Sequence, residues 1–464
     1  MNDDLPIILD RAAVTPLATQ VADAFRAAAT DGQLRAGDKL PSSRRLADTL
    51  GVSRTVTSAA YDQLHAEGWI TGKHGAGTFI TTAPKPSPAH DVSYELPVGD
   101  EGLIDLAPGA PCVATIDKAA WRRAWRAAAD HPSMIRPQRA GLPDYRAAVV
   151  EHLLRHRGLA AGVDSGTVLT TAGTSSATGE LAEAVLQPGD AVAMEEPGYR
   201  RSVGALRAAG MTVVPVPVDA EGLCVDAIPQ GVRAVYCTPA HQFPMGGRLP
   251  AARRVELVDR ARRDGIIVIE DDYDGELRYD AAPLPLLASI GPDVVVHLGT
   301  TSKILTSALG VGWMVAPAAV AHAVLEHRDR TGTRPSPAGQ LVVRELATSG
   351  DLARHLRRTR REVSERREFL VEQCTAAGLS VVGDDAGAHV VVLLPSAEAE
   401  RAVVAAGRAA GIHLDGLKRH HFGPQSTFGI ALGYTACSRA ELHDSIPKVA
   451  ALLAQFVPCP GTPT

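Results

Sequence analysis

Two short segments of this chain carry side chains that could do covalent chemistry. The first is HLGTTSKILTSALG (297–310), where Lys303 follows an apolar run and sits among small hydroxyl residues. Lysine is seldom buried without a task, and a desolvated amine has a lowered pKa that suits attack on a carbonyl to form an imine. The second is IIVIEDDYDGEL (266–277), whose apolar run ends in Glu270, Asp271, Asp272, Tyr273 and Asp274. Open α/β sheets bind ligands outside the carboxyl ends of their strands, so these acids stand where a ligand would lie. Only seven of the 47 basic residues are lysines, and Lys303 alone among them follows a strand-like run.

The elements that must position these groups are legible as alternation. Runs of β-branched and apolar residues at 168–173, 191–197, 212–218, 234–239, 266–272 and 294–299 are separated by helix-length segments. Such runs read as strands buried on both faces, hence a mainly parallel sheet in an α/β body. The 464 residues exceed one compact core. Residues 83–108, rich in proline and small residues, read as a linker between a head at 1–82 and a body at 109–464. A smaller C-terminal α+β subdomain is expected at about 331–464.

In the head, Leu17, Val21, Ala24 and Phe25 recur at helical spacing, and Gly37 and Pro41 then break the pattern. A short helix from Ser43 to Leu50, Gly51, and a second helix capped by Ser53 and running to Glu67 make a helix-turn-helix. WITGKHGAGTFI then alternates like a hairpin, a candidate wing. Between Arg35 and Arg54 five basic residues face two acidic ones, a local +3 in a chain of net charge −5. The chain is therefore not coated in positive charge, and nucleic-acid contact is confined to one module.

The segment 36–80 resembles the winged helix-turn-helix of GntR regulators. The resemblance implies that Arg44 and Arg54 contact phosphates or base edges, that Ser53, Thr55 and Thr57 sit at the groove, and that the Gly75–Gly77 tip approaches the minor groove. The body at about 105–455 resembles fold-type-I aminotransferases, which bind pyridoxal 5'-phosphate. Such a site needs a lysine for the aldehyde and a carboxylate to keep the ring nitrogen protonated. The resemblance gives Lys303 the Schiff base, Asp271 the ring nitrogen and Tyr273 the ring hydroxyl. It places Tyr199 stacked on the ring and His241 near its edge. Gly173, Thr174 and Ser175 would cradle the phosphate at a helix start, with Thr300 and Ser302 adding hydroxyls. Head and body together resemble MocR/GabR-type regulators, in which Arg201 would meet the effector.

Two positions depart from that pattern. Gly310 stands where the family commonly has a phosphate-clamping arginine, a loss of roughly 1.5 to 3 kcal/mol, or about ten- to a hundredfold in affinity. Ala436 stands where an arginine often receives the effector's carboxylate. The leading expectation is a cytoplasmic, homodimeric, double-stranded-DNA-binding transcription regulator whose body senses an amine or amino-acid-like effector. The alternatives are a cofactor-free regulator using its body as a dimer scaffold, and an active aminotransferase. The six cysteines show no metal-ligand spacing, and no apolar stretch is long enough to span a membrane.

Overall fold

The computed structural model describes residues 7–73, 77–81, 102–132, 134–136, 138–159, 163, 165–279 and 284–457. Gly75 and residues 83–101 of the expected linker lie outside the described residues. The chain falls into two compact units, Met1–Val98 and Gly99–Thr464.

In the first unit, helices span Leu17–Thr30, Ser43–Leu50 and Arg54–Ala66. The Ser42 hydroxyl accepts the Arg45 N–H at 3.2 Å to cap the middle helix, and Gly51, at φ 61°, ends it in the left-handed region that glycine favours. Ala60, Tyr61 and Leu64 then pack with Val21, Ala22 and Phe25 in one core. Strand Gly77–Ile80 lies between Lys39–Leu40 and Ile70–Lys73 in an antiparallel sheet, which is the wing.

The second unit is built on an eight-stranded sheet. Its order is Val168–Thr171, Gly312–Val315, Val295–Thr300, Ile267–Asp272, Ala234–Cys237, Ala191–Glu196, Thr212–Asp219 and Gly222–Leu223. The five strands from Val295–Thr300 to Thr212–Asp219 pair in parallel, and all six apolar runs of the sequence are strands of this sheet. Helices cover its faces, so the chemistry-bearing segments emerge together at the strands' carboxyl ends.

A second, antiparallel sheet is formed by Val381–Val382, His389–Leu393, Gly429–Gly433 and Asp415–Gly416, flanked by helices Asp351–Ala376, Ala397–Ala409 and Arg439–Ala454. This smaller layer differs from the span 331–464 at both ends. Helix Pro337–Thr348 buries Leu341, Val342 and Leu346 in the core of the large sheet, alongside Tyr145 and Leu309. Conversely, Ile104–Asp105 pairs in parallel with Ile412–His413, and Leu106 and Cys112 enter the smaller core. Contacts distant in sequence decide both memberships, and local composition does not encode them.

Candidate functional site

Strand alternation sorts the acids of Ile267–Asp272. Glu270 and Asp272 point to one face and are engaged there by protein groups, although Asp272 Oδ1, like Asp271 Oδ1, has no hydrogen-bond partner among the described residues. Glu270 accepts the backbone N–H groups of Leu287 and Ala288 at 2.6 and 3.0 Å, and Asp272 pairs with the buried Arg157 at 2.5 Å. Asp271 points to the other face. Its Oδ2 accepts the Tyr236 hydroxyl, which in turn accepts from Ser202 at 3.0 Å. Its Oδ1 is buried and has no hydrogen-bond partner among the described residues. Burial pushes the Asp271 carboxyl up to about 7, with the Tyr236 and Thr174 hydroxyls opposing. An acceptor left unpaired inside a protein is costly and calls for a donor from elsewhere.

Lys303 follows strand Val295–Thr300, and its Nζ donates to the Gly109 carbonyl. Burial lowers its pKa below the ordinary lysine value, with the Asp274 and Asp271 charges opposing. Helix Thr174–Val185 begins beside it. Gly173, at φ 127°, is its N-cap and brings free backbone N–H groups to the cleft. Thr300 donates to Ser302 Oγ at 3.0 Å, and Ser175 donates to the Tyr199 hydroxyl at 3.4 Å.

One cleft of about 800 Å³ is lined by Gly173, Thr174, Ser175, Tyr199, Arg201, Asp271, Tyr273, Thr300, Ser302 and Lys303. Thus ten of the eleven residues expected in the body converge on one space. His241 is the exception and does not line this space. It is 1 % exposed and stands behind Tyr273, with Nδ1 3.0 Å from the Tyr273 hydroxyl and 2.9 Å from Asp274. Phe243 and His389 line the wall instead.

Sequence reasoning passed over Tyr236, Phe243, His389, Asp415, Arg419 and His420. A phenol inside the apolar run AVYC needs a polar partner, which was a signal at Tyr236. The partner, Asp271, is 35 residues away. The other five sit on turns and on the smaller sheet, where no local pattern marks them. Gly310 leaves open space: a Cβ built there meets nothing within 4 Å.

In the head, Arg44, Ser53, Arg54, Thr55 and Gly77 are exposed. Ser53 holds the N-cap position of Arg54–Ala66, yet its side chain makes no capping bond. Thr57 corrects the reading that put it at the groove. It is fully buried, and its hydroxyl donates to the Ser43 and Arg54 carbonyls at 2.8 and 3.1 Å, tying the two helices together.

Comparison with known families and structures gives a consistent picture. Residues 101–424 match the family described as aminotransferase class I and II, and residues 17–80 match the bacterial regulatory proteins of the gntR family. The HTH-type pyridoxine biosynthesis transcriptional regulator PdxR of Corynebacterium glutamicum is 34 % identical, over 94 % of this chain and 95 % of its own length. The probable rhizopine catabolism regulatory protein MocR of Rhizobium meliloti is 29 % identical over 95 % of this chain and 94 % of its own. An archaeal alanine:glyoxylate aminotransferase shares the body's fold, with a TM-score of 0.71 and 24 % identity, over 76 % of this chain and 91 % of its own. So does the kynurenine aminotransferase of Pyrococcus horikoshii, solved with PMP, at 0.68 and 22 % over the same shares.

Proposed function

The chain belongs to the class I and II aminotransferase family, joined to a gntR-family head as in MocR/GabR-type regulators, and from that premise we propose that this DNA-binding transcription regulator uses its body to sense an amine-bearing effector on pyridoxal 5'-phosphate. The observation that carries the reading is the unpartnered buried oxygen of Asp271, which faces the same cleft as the Lys303 amine.

The residues present fit the group. A buried carboxylate oxygen lacking a donor suits a protonated ring nitrogen, and the Tyr273 phenol suits the ring hydroxyl. The helix start at Gly173 and the Thr174, Ser175, Thr300 and Ser302 side chains offer only donors and hydroxyls, as a phosphate requires. When bound, the pyridoxal group supplies an electrophilic carbon for amines and an electron-withdrawing ring. The chain does the rest. Burial keeps a larger share of Lys303 neutral, and therefore nucleophilic, than in an exposed lysine. Asp271 would hold the proton at the ring nitrogen, Tyr236 orients Asp271, and Tyr199 packs edge-on against Phe243 at 5.5 Å to wall off water. Arg201 attracts an anionic effector to the mouth.

Sensing is favoured over turnover by Gly310 and Ala436, since transamination needs phosphate and substrate carboxylate held in alignment. Trp125, Met134 and the 98 % exposed Ile135 are apolar side chains that a second copy would cover in a cytoplasmic homodimer reading two DNA half-sites. Effector exchange regulates only by binding two states of the body with different affinity. Gly310 also favours a second reading, that occupancy tracks the supply of the pyridoxal group. The Corynebacterium relative is named for pyridoxine biosynthesis.

The test is a visible absorption band on mixing with pyridoxal phosphate, abolished by borohydride and absent in Lys303→Ala, followed by operator affinity with and without amines. No band at saturating cofactor refutes the reading and leaves a scaffold. Rapid multiple turnover of ordinary amino acids makes the body an enzyme.

A further inference from the structure

A second concavity, of about 740 Å³, adjoins the Lys303 cleft and takes no part in the reading above. Helix Arg200–Ala208 contributes Arg200 and Arg207, helix Ala397–Ala409 contributes Arg401 and Arg408, and the turn Leu417–His420 contributes Lys418 and Arg419. All six are exposed. Only two carboxylates share the lining, and both are buried and committed. Glu400 accepts the backbone N–H groups of Lys418 and Gly429, and Asp415 holds His420 and Arg419 at 3.1 and 3.2 Å. Arg401 has Glu398 at 3.0 Å. Arg200, Arg207 and Lys418 have no carboxylate partner among the described residues. Beneath this rim the floor is apolar, made by Val203, Val404, Leu414 and Phe422.

The groove and the cleft adjoin, and Arg200, Asp415 and Arg419 line both. A molecule whose amine reaches Lys303 and that extends past Arg200 and Arg419 would enter the groove. The chain lacks arginine at 310 and 436, yet concentrates six cations along this path. We propose that the groove receives an anionic extension of the effector, so that the effector is an amine bearing a multiply charged group of the phosphate class on an apolar spacer.

The inference rests on the sensing role proposed above for the Lys303 cleft. A small ligand is favoured over a nucleic-acid backbone by shape. The groove is concave, has an apolar floor, and falls within the roughly 300–1,000 Å³ typical of small-molecule sites. Several cations converging on one anion form charge-assisted hydrogen bonds that a lone surface pair does not match.

The experiment uses the cofactor-loaded full chain, in which the phosphate cradle is filled, and inorganic pyrophosphate as the calorimetric probe. The double variant Arg207→Glu/Lys418→Glu alters exposed residues that do not line the cleft. It is expected to weaken pyrophosphate binding at least about tenfold while the visible band and the unfolding midpoint stay unchanged. In Lys303→Ala without cofactor, the component sensitive to this charge reversal must persist, which separates failure of the groove from failure of the imine reading. O-phosphoethanolamine should perturb the band of the wild type at concentrations at least about tenfold lower than ethanolamine does, and the double variant should lose that preference. Equal pyrophosphate affinity in wild type and double variant overturns the proposal. So does the absence of any preference for the phosphorylated amine, which would make the groove a site for a separate anion. Charge reversal that lowers operator affinity and leaves pyrophosphate binding intact assigns the groove to DNA and also overturns it.

Discussion

Asp271→Asn should change how the cofactor-free protein responds to pH. The carboxyl is 1 % exposed and burial holds its pKa near 7, against an ordinary value of 3.8. Between about pH 4 and 7 the folded protein keeps this proton while the unfolded chain has released it. The contribution to stability is therefore fully present below about pH 4 and is lost as the pH rises to about 7. At about 1.4 kcal/mol per unit, the window from pH 5 to 8 removes roughly 2 to 3 kcal/mol. Asparagine has no proton to lose and can still accept the Tyr236 hydroxyl. The variant should accordingly lose about 2 to 3 kcal/mol less than the wild type over that window. Glu195, also raised to about 7 by burial and further by the Asp271 charge, keeps a reduced slope of the same sign. Urea unfolding of the body at pH 5 and pH 8 measures both proteins. Parallel pH profiles would show that Asp271 is already ionised and paired, and would remove the observation on which the cofactor reading rests. With pyridoxal phosphate bound, a ring N–H at Oδ1 should hold the carboxylate ionised and flatten the wild-type profile.

Three further outcomes follow from single positions. Gly310→Arg restores a phosphate clamp worth roughly 1.5 to 3 kcal/mol, while a non-glycine residue at φ 55° costs about 1 kcal/mol of folding stability with or without cofactor. Cofactor binding by equilibrium dialysis should be about ten- to a hundredfold tighter, and unchanged affinity in a folded variant would mean that the phosphate lies elsewhere. Thr57→Val leaves the Ser43 carbonyl without its donor and should destabilise the head by about 1 to 2 kcal/mol in a thermal melt. Arg54→Ala, at an exposed position, should leave that melt within about 0.5 kcal/mol and instead weaken operator binding and reduce its salt dependence. Loss of DNA affinity in Thr57→Val at a temperature where the head stays folded would reverse the two assignments.

The body's strands were legible because burial on both faces leaves a run of apolar residues that needs no partner to be recognised. The acids at 270–272 were legible only as a group. Which of them faces the cleft depends on strand alternation, and on Arg157 and the Leu287 turn consuming the other two, contacts spanning 115 and 17 residues. Thr57 misled because a polar residue inside a motif invites a ligand contact, yet it is buried and hydrogen-bonded within the protein. The composition of a motif specifies which groups are present, and only packing decides which of them meet solvent.

Arginine distribution makes the same point for function. Forty arginines scattered through a chain give no information singly, and the vacancies at Gly310 and Ala436 read in isolation as a site losing its ligand. Folding changes that inference, because it gathers Arg200 and Arg207 with the distant Arg401, Arg408 and Arg419 around one groove beside the Lys303 cleft. A cleft that had merely decayed would have no reason to collect cations at its mouth, where mutual repulsion disfavours them until an anion arrives. The cationic path therefore argues for a relocated specificity, with the effector's negative charge read beside the cleft rather than at the two vacated positions.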